Sequence, residues 1–142
     1  MSFEDIRENF QLLDEWEDRY RYLIELGRAL EPLENELKTD ATKVRGCASQ
    51  VWMVSQAVAN PNTRETTLQI RGESDAHIVQ GLIAVLLAIH NNQTPKALLA
   101  TDTDALFAEL GLREHLTPQR SNGLASMIAR LRADAERLQK TD

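Results

Sequence analysis

The amino-acid sequence predicts an α+β fold, with helices packed around a small antiparallel β-hairpin. Three observations support that expectation. Apolar residues recur at three- and four-residue intervals on both sides of the middle of the chain, which is the helical period. Two clusters rich in β-formers, Val51-Trp52-Met53-Val54 and Thr66-Thr67-Leu68-Gln69-Ile70, flank the turn signal Asn60-Pro61-Asn62. The helical and extended segments are segregated rather than alternating, which favours α+β over a parallel α/β sheet.

Taken in order, Phe3, Ile6, Phe10 and Leu13 share one face behind Ser2, a good N-cap, with Glu4 and Asp5 in the electropositive first turn. A second helix is expected from Asp14, with Glu17 three residues on completing a capping-box-like pair. Tyr20, Leu23, Ile24, Gly27 and Leu30 give it one mostly apolar face, and Pro32 lies just past its end. Residues 33–46 are polar and mixed and read as a loop, with a short third strand expected around Lys43 to Arg45. Trp52, within the first strand, is expected in the core. Ser74-Asp75 then caps a strong helix to about His90, burying Ile78, Leu82, Val85, Leu86 and Ile89. Thr94-Pro95 opens a short helix through Leu99, and Asp104 to Leu110 forms another, stopped at Gly111. Ser121-Asn122 caps a long final helix with Leu124, Met127, Ile128, Leu131, Ala135 and Leu138 on one face.

The length of 142 residues suits one domain with one core, spanning residues 1–142. At 42% apolar and 27% charged, the chain is too apolar to remain disordered. It carries 22 acidic against 16 basic residues, a formal net charge of -6, and no basic run, so it would repel nucleic-acid phosphates. The longest strongly apolar stretch, Ile78 to Ile89, is interrupted by Gln80 and falls well short of the roughly 20 residues of a membrane span. The acidic opening Met1-Ser2-Phe3-Glu4-Asp5 is unlike a secretory signal. A soluble, cytoplasmic protein is expected, with neither nucleic acid nor membrane as a partner.

Cys47 is the single cysteine. It cannot form an internal disulfide, and one thiolate cannot by itself make a zinc site or hold an iron–sulfur cluster. His77, His90 and His115 show no HExxH spacing, and the chain has no GxGxxG, no GxxxxGK[ST] and no GxSxG motif. Neither a metal nor a resident cofactor is expected, and most standard enzyme classes have no foothold.

A lone cysteine is ordinarily a small buried hydrophobe. Three features of Val44-Arg45-Gly46-Cys47-Ala48-Ser49-Gln50 argue for more. Its neighbours Gly46, Ala48 and Ser49 are small, the stretch is a loop, and Lys43 and Arg45 supply positive charge that favours the thiolate. At an ordinary pKa of about 8.5 only roughly 3% of a thiol is ionised at pH 7, so a downward shift would matter. Arg120, at the start of the last helix, is the second candidate. Its charge opposes the helix dipole there, so it would more readily serve an anion, a thiolate or a partner's carboxylate. Asp75 reads as an N-cap before it reads as a catalytic group. His77 falls in a first turn and His90 in a last turn, where a cation would be welcome, and His115 has no partner pattern.

Three motifs, in order, give these residues a context. Val44-x-Gly46-Cys47-x-Ser49-x-Val51-Trp52 is followed by Gly72-x-Ser74-Asp75-x-x-Ile78-Val79-x-Gly81-Leu82, and then by Leu116-Thr117-Pro118-x-Arg120-Ser121-x-Gly123-Leu124. Together with Trp16-Glu17-Asp18-Arg19-Tyr20 and Ile24-Glu25-Leu26-Gly27 they resemble the SufE family of cysteine desulfuration proteins, over nearly the whole chain. Leu106-Phe107-x-Glu109-Leu110-Gly111-Leu112-Arg113 is similar to the CsdE-type relatives, whereas Thr117-Pro118-Gln119-Arg120 is closer to SufE proper.

The resemblance implies a small antiparallel sheet flanked by helices, as in scaffold proteins of the IscU type. It also implies a sulfur acceptor that takes sulfur from a cysteine desulfurase of the SufS or CsdA type, stimulates that enzyme, and passes the sulfur to an iron–sulfur scaffold or another acceptor. Such a chain is a transfer partner with a cysteine persulfide rather than a stand-alone enzyme. Carried over by position, Cys47 is the persulfide site and Arg120 a contact to the thiolate or the partner. Pyridoxal phosphate would sit on the desulfurase and not on this chain. The resemblance further implies a Cys47 loop tucked against the body, its sulfur shielded by apolar neighbours, and it permits a monomer or a homodimer. Two other readings stay open at this stage. One is a docking regulator of the desulfurase whose cysteine is incidental. The other is a dimeric cluster scaffold, which would need ligands beyond two cysteines.

Overall fold

A computed structural model describes residues 2–139. Helices α1 (Phe3–Leu12) and α2 (Trp16–Arg28) lead through a 3₁₀ turn (Asn35–Leu37) to strands β1 (Val51–Ala59) and β2 (Thr66–Ser74). Helices α3 (His77–His90), α4 (Pro95–Ala100) and α5 (Thr103–Glu109), a 3₁₀ turn (Arg113–His115) and α6 (Pro118–Gln139) follow. The fold is α+β, as expected. The two strands pair antiparallel, with Val51 opposite Ser74 and Ala59 opposite Thr66. They are longer than the clusters of β-formers, because pairing carries the ladder outward through Ala57, Ala59, Gly72 and Ser74. The expected third strand reduces to a single bridge between Lys43 and Trp52.

Helix α3 is buried nearly all round, from Ile78 to His90, and forms the centre of the core. It packs on α2 through a glycine contact. A Cβ on Gly81 would collide with the Leu23 carbonyl, and one on Gly27 would lie 2.8 Å from the Gly81 nitrogen. Met53 and Val51 from β1, Leu68 and Ile70 from β2, and Leu124, Met127 and Leu131 from α6 close the same core. Trp52, expected inside, is only half-buried: side chains alternate along a strand, and its ring lies 5.4 Å from the Lys38 ammonium instead. Ile89 and Leu138 are likewise half-buried.

Several helices start where local capping chemistry places them. Ser2 and Asp5 form a reciprocal capping box, Thr94 accepts from the Ala97 N–H, and Asp102 from the Ala105 N–H, which starts α5 a residue earlier than expected. Asp14 does not cap α2; the N-cap is Glu15, with no side-chain bond. Ser74 and Asp75 do not cap α3, whose N-cap is Ala76, because both side chains are engaged elsewhere. Helix α6 begins at Pro118, three residues before Ser121, with the Thr117 hydroxyl accepting from the Arg120 N–H at 3.2 Å. Among the described residues no helix is long and apolar enough to cross a membrane.

Candidate functional site

Cys47 stands in the short loop between the Lys43 bridge and β1, and three contacts shape that loop. Gly46 turns it at φ +88°, a conformation that side-chain-bearing residues avoid, and a Cβ there would strike the Ser126 hydroxyl of α6. At the far end, the Gln50 N–H donates to Asp75 Oδ1 at 3.0 Å, while the Asp75 N–H donates to the Gln50 carbonyl at 3.3 Å. At the near end, Arg130 of α6 donates to the carbonyls of Ala41 (2.6 Å) and Lys43 (3.4 Å). Asp134, buried one turn along α6, accepts from Arg130 Nε at 3.2 Å and holds that guanidinium in place.

The loop so held places the half-buried thiol against α6, where its S–H donates to the Gly123 carbonyl at 3.6 Å. Sγ faces a cavity of about 360 Å³ lined by Val79 and Leu82 of α3 and by Arg120, Leu124 and Met127 of α6. The walls are mostly apolar, in keeping with the expected shielding of the sulfur. Arg120, the other sequence-predicted residue, lies on the rim of the same cavity in the first turn of α6. Among the described residues its guanidinium has no hydrogen-bond or ion-pair partner.

The electrostatics differ from the expectation. Lys43 and Arg45 do not favour the thiolate; burial pushes the Cys47 thiol up, and no nearby cation offsets it. Donation of the S–H to a carbonyl favours the neutral thiol further. The resting site therefore holds a protonated, sheltered sulfur. His90, at a helix end where a cation would be welcome, is instead enclosed. Its Nδ1 pairs with Gln93 Oε1 at 2.8 Å and its Nε2 with Thr103 Oγ1 at 3.0 Å, and burial lowers its pKa. His77 opens α3 and is exposed, while His115 stacks on Trp16 at 4.2 Å between ring centroids.

Sequence reasoning gave no role to Gln50, Ser126, Arg130 or Asp134, and took Gly123 only as part of a motif. Only the Arg130 and Asp134 spacing of four on one helix carried a local signal; the others act through backbone atoms or through contacts across the fold.

A family model described as SufE, an Fe-S metabolism associated domain, matches residues 4–135. The chain belongs to the SufE family. This SufE-family chain is 46% identical over 135 residues to an uncharacterised SufE-like protein of Rhizobium etli, covering 95% of this chain and 90% of that one. It is 47% identical over 135 residues to another SufE-like protein, from Rhizobium meliloti, covering 95% of each. A solution structure of a hypothetical protein from Thermus thermophilus superposes with a TM-score of 0.76 at 19% identity, over 99% of both chains. That likeness concerns the fold alone.

Proposed function

We propose that this SufE-family chain is a sulfur carrier for iron–sulfur cluster assembly, with Cys47 as its persulfide residue. The observation that carries the reading is the position of Cys47: the chain's single thiol faces an apolar cavity with room for a second sulfur atom. The donor is a cysteine desulfurase that bears a persulfide, Enz–S–SH, and its pyridoxal phosphate belongs to that partner.

In the transfer step the Cys47 thiolate attacks the outer sulfur of the donor persulfide. The new S–S bond forms at Cys47, the donor S–S bond breaks, and the donor cysteine leaves as a thiolate. The sulfane sulfur moves without net oxidation or reduction, since one thiolate enters and one leaves. Because the resting thiol is protonated and half-buried, docking of the desulfurase must expose it or supply the cation or base that ionises it. Arg120, whose guanidinium has no partner among the described residues, is the chain's own candidate at the cavity rim for meeting the resulting anion or an acidic group of the partner. Inside the cavity, the apolar walls would shield the persulfide from oxidants and solvent thiols before a scaffold or another acceptor receives it. Stimulation of the desulfurase follows if removal of the sulfur is what limits its turnover.

The test is intact mass after incubation with a cysteine desulfurase and L-cysteine. A gain of about 32 Da, lost on reduction and absent in Cys47→Ser, is the expected result. A Cys47→Ser variant that gains no sulfur yet still stimulates the desulfurase would instead assign the chain as a docking regulator.

A further inference from the structure

Cys47 is held in place from outside its own loop. From Arg45 to Ser49 the chain makes no backbone–backbone hydrogen bond among the described residues, so the position of the thiol follows from where the ends of the loop are fixed. At the root of the loop, Thr42 and Val44 are bonded to β1: the Thr42 carbonyl accepts from the Met53 N–H, and the Val44 N–H donates to the Val51 carbonyl. The carbonyls of Ala41 and Lys43 point the other way, as alternate residues of an edge segment do. Among the described residues no further strand lies on that side. The guanidinium of Arg130 takes its place and donates to both carbonyls, which its planar fork permits.

The helix that supplies this strut also supplies the wall of the cavity. Gly123, Met127, Arg130 and Asp134 recur at intervals of four, three and four residues along α6, so they share one face. Gly123 accepts from the Cys47 thiol and Met127 lines the cavity. Arg130 thus fixes the root of the loop to the element against which the sulfur rests.

Asp134 is a costly residue if stability is its purpose. Its side chain is 7% exposed, and Oδ1 meets Arg130 Nε at 3.2 Å and Arg137 at 3.6 Å. Its Oδ2 is buried with no hydrogen-bond partner among the described residues. Burying a carboxylate with one unsatisfied oxygen is unfavourable, and an apolar residue in such a place is often at least as stable. An apolar residue cannot, however, aim a guanidinium at two carbonyls.

We propose that Arg130, aimed by Asp134, is the positioning residue that keeps Cys47 seated in its cavity, and that it thereby sets how long a persulfide there survives solvent thiols. The second clause rests on the sulfur-carrier reading; the first does not. Without the strut, residues 41–46 are free to leave α6, and the sulfur loses the packing that desolvates it.

Alkylation of Cys47 by iodoacetamide, followed across pH in the full chain, tests the seating. Arg130→Ala should react several-fold faster at pH 7, with the midpoint lowered toward that of an unstructured cysteine. Arg130→Lys keeps a cation beside Asp134 but not the fork, so it should move the same way by a smaller factor. It carries the test if the alanine variant does not fold. Ile6→Ala is the control: it empties core space on α1, none of whose residues lines the cavity, and should keep the parent's rate and midpoint. For the persulfide, the chain is loaded by a cysteine desulfurase and L-cysteine, separated and exposed to glutathione. The added mass of about 32 Da should disappear several-fold sooner in the Arg130 variants than in the parent or Ile6→Ala. Arg130 variants that alkylate like the parent overturn the proposal, as does an Ile6→Ala variant that shifts equally. Faster alkylation with an unchanged persulfide lifetime overturns its second clause. A parent that takes up no sulfur overturns the carrier reading instead, and the alkylation result still decides the seating.

Discussion

Asp75 and Gln50 hold each other by two bonds, the Gln50 N–H to Asp75 Oδ1 at 3.0 Å and the Asp75 N–H to the Gln50 carbonyl at 3.3 Å. The pair ties the end of the Cys47 loop to the turn that leads from β2 into α3. A residue that reads as a helix cap thus serves as a clasp, one of the three contacts that hold the Cys47 loop.

Asp75→Ala should loosen that clasp. The expected result is several-fold faster modification of Cys47 by a thiol reagent at fixed pH, for a stability loss of about 1 kcal/mol, the usual worth of one such bond. Asp75→Asn keeps an acceptor oxygen and should stay close to the parent. Labelling kinetics and urea unfolding on the same samples separate local release from global destabilisation.

Gly46→Ala should cost about 1–3 kcal/mol, because it combines a positive φ with a clash against Ser126. Adding Ser126→Ala relieves the clash but not the backbone strain, so the double variant should recover part of the loss. Denaturant melts of the two variants measure the split.

Arg130→Ala removes two donors to the segment before Cys47 and, among the described residues, leaves the buried Asp134 with Arg137 alone, at 3.6 Å. A stability loss of about 2–4 kcal/mol is expected, most of it from the stranded carboxylate. Arg130→Ala combined with Asp134→Leu should be more stable than the single variant, which thermal melts can check.

His90 should make the fold sensitive to acid. Burial lowers its pKa below the ordinary value of 6.5, so the folded chain binds fewer protons at this site than the unfolded chain. The stabilisation that follows is present above pH 6.5 and is lost as the pH falls below that value through the folded pKa. Urea melts between about pH 7.5 and 5 should show this fall, and His90→Gln should flatten its share of it.

Cys47 should ionise late. Since burial raises its pKa, the alkylation rate of the free chain should climb with pH through a midpoint above that of an unstructured cysteine. A lower midpoint in the presence of the desulfurase would show that docking ionises the thiol.

Much of this molecule is determined by sequence alone. The helical periodicity of Leu23, Leu82 and Leu124, the hairpin about Asn60-Pro61-Asn62 and the caps at Ser2 and Thr94 follow from spacing and local hydrogen bonding, which act within a few residues. The single thiol and its small neighbours are equally plain. What tertiary structure alone decided are the properties that depend on distant partners. Asp75 is a clasp because Gln50 lies beside it across the hairpin, and Arg130 reaches back 89 residues to the Ala41 carbonyl. Cys47 is not activated by Lys43 and Arg45, its neighbours in sequence, because the packed fold desolvates the thiol and pushes its pKa up. Burial and backbone pairing are set by whatever the rest of the chain brings alongside, and neither can be read from a residue's own neighbours.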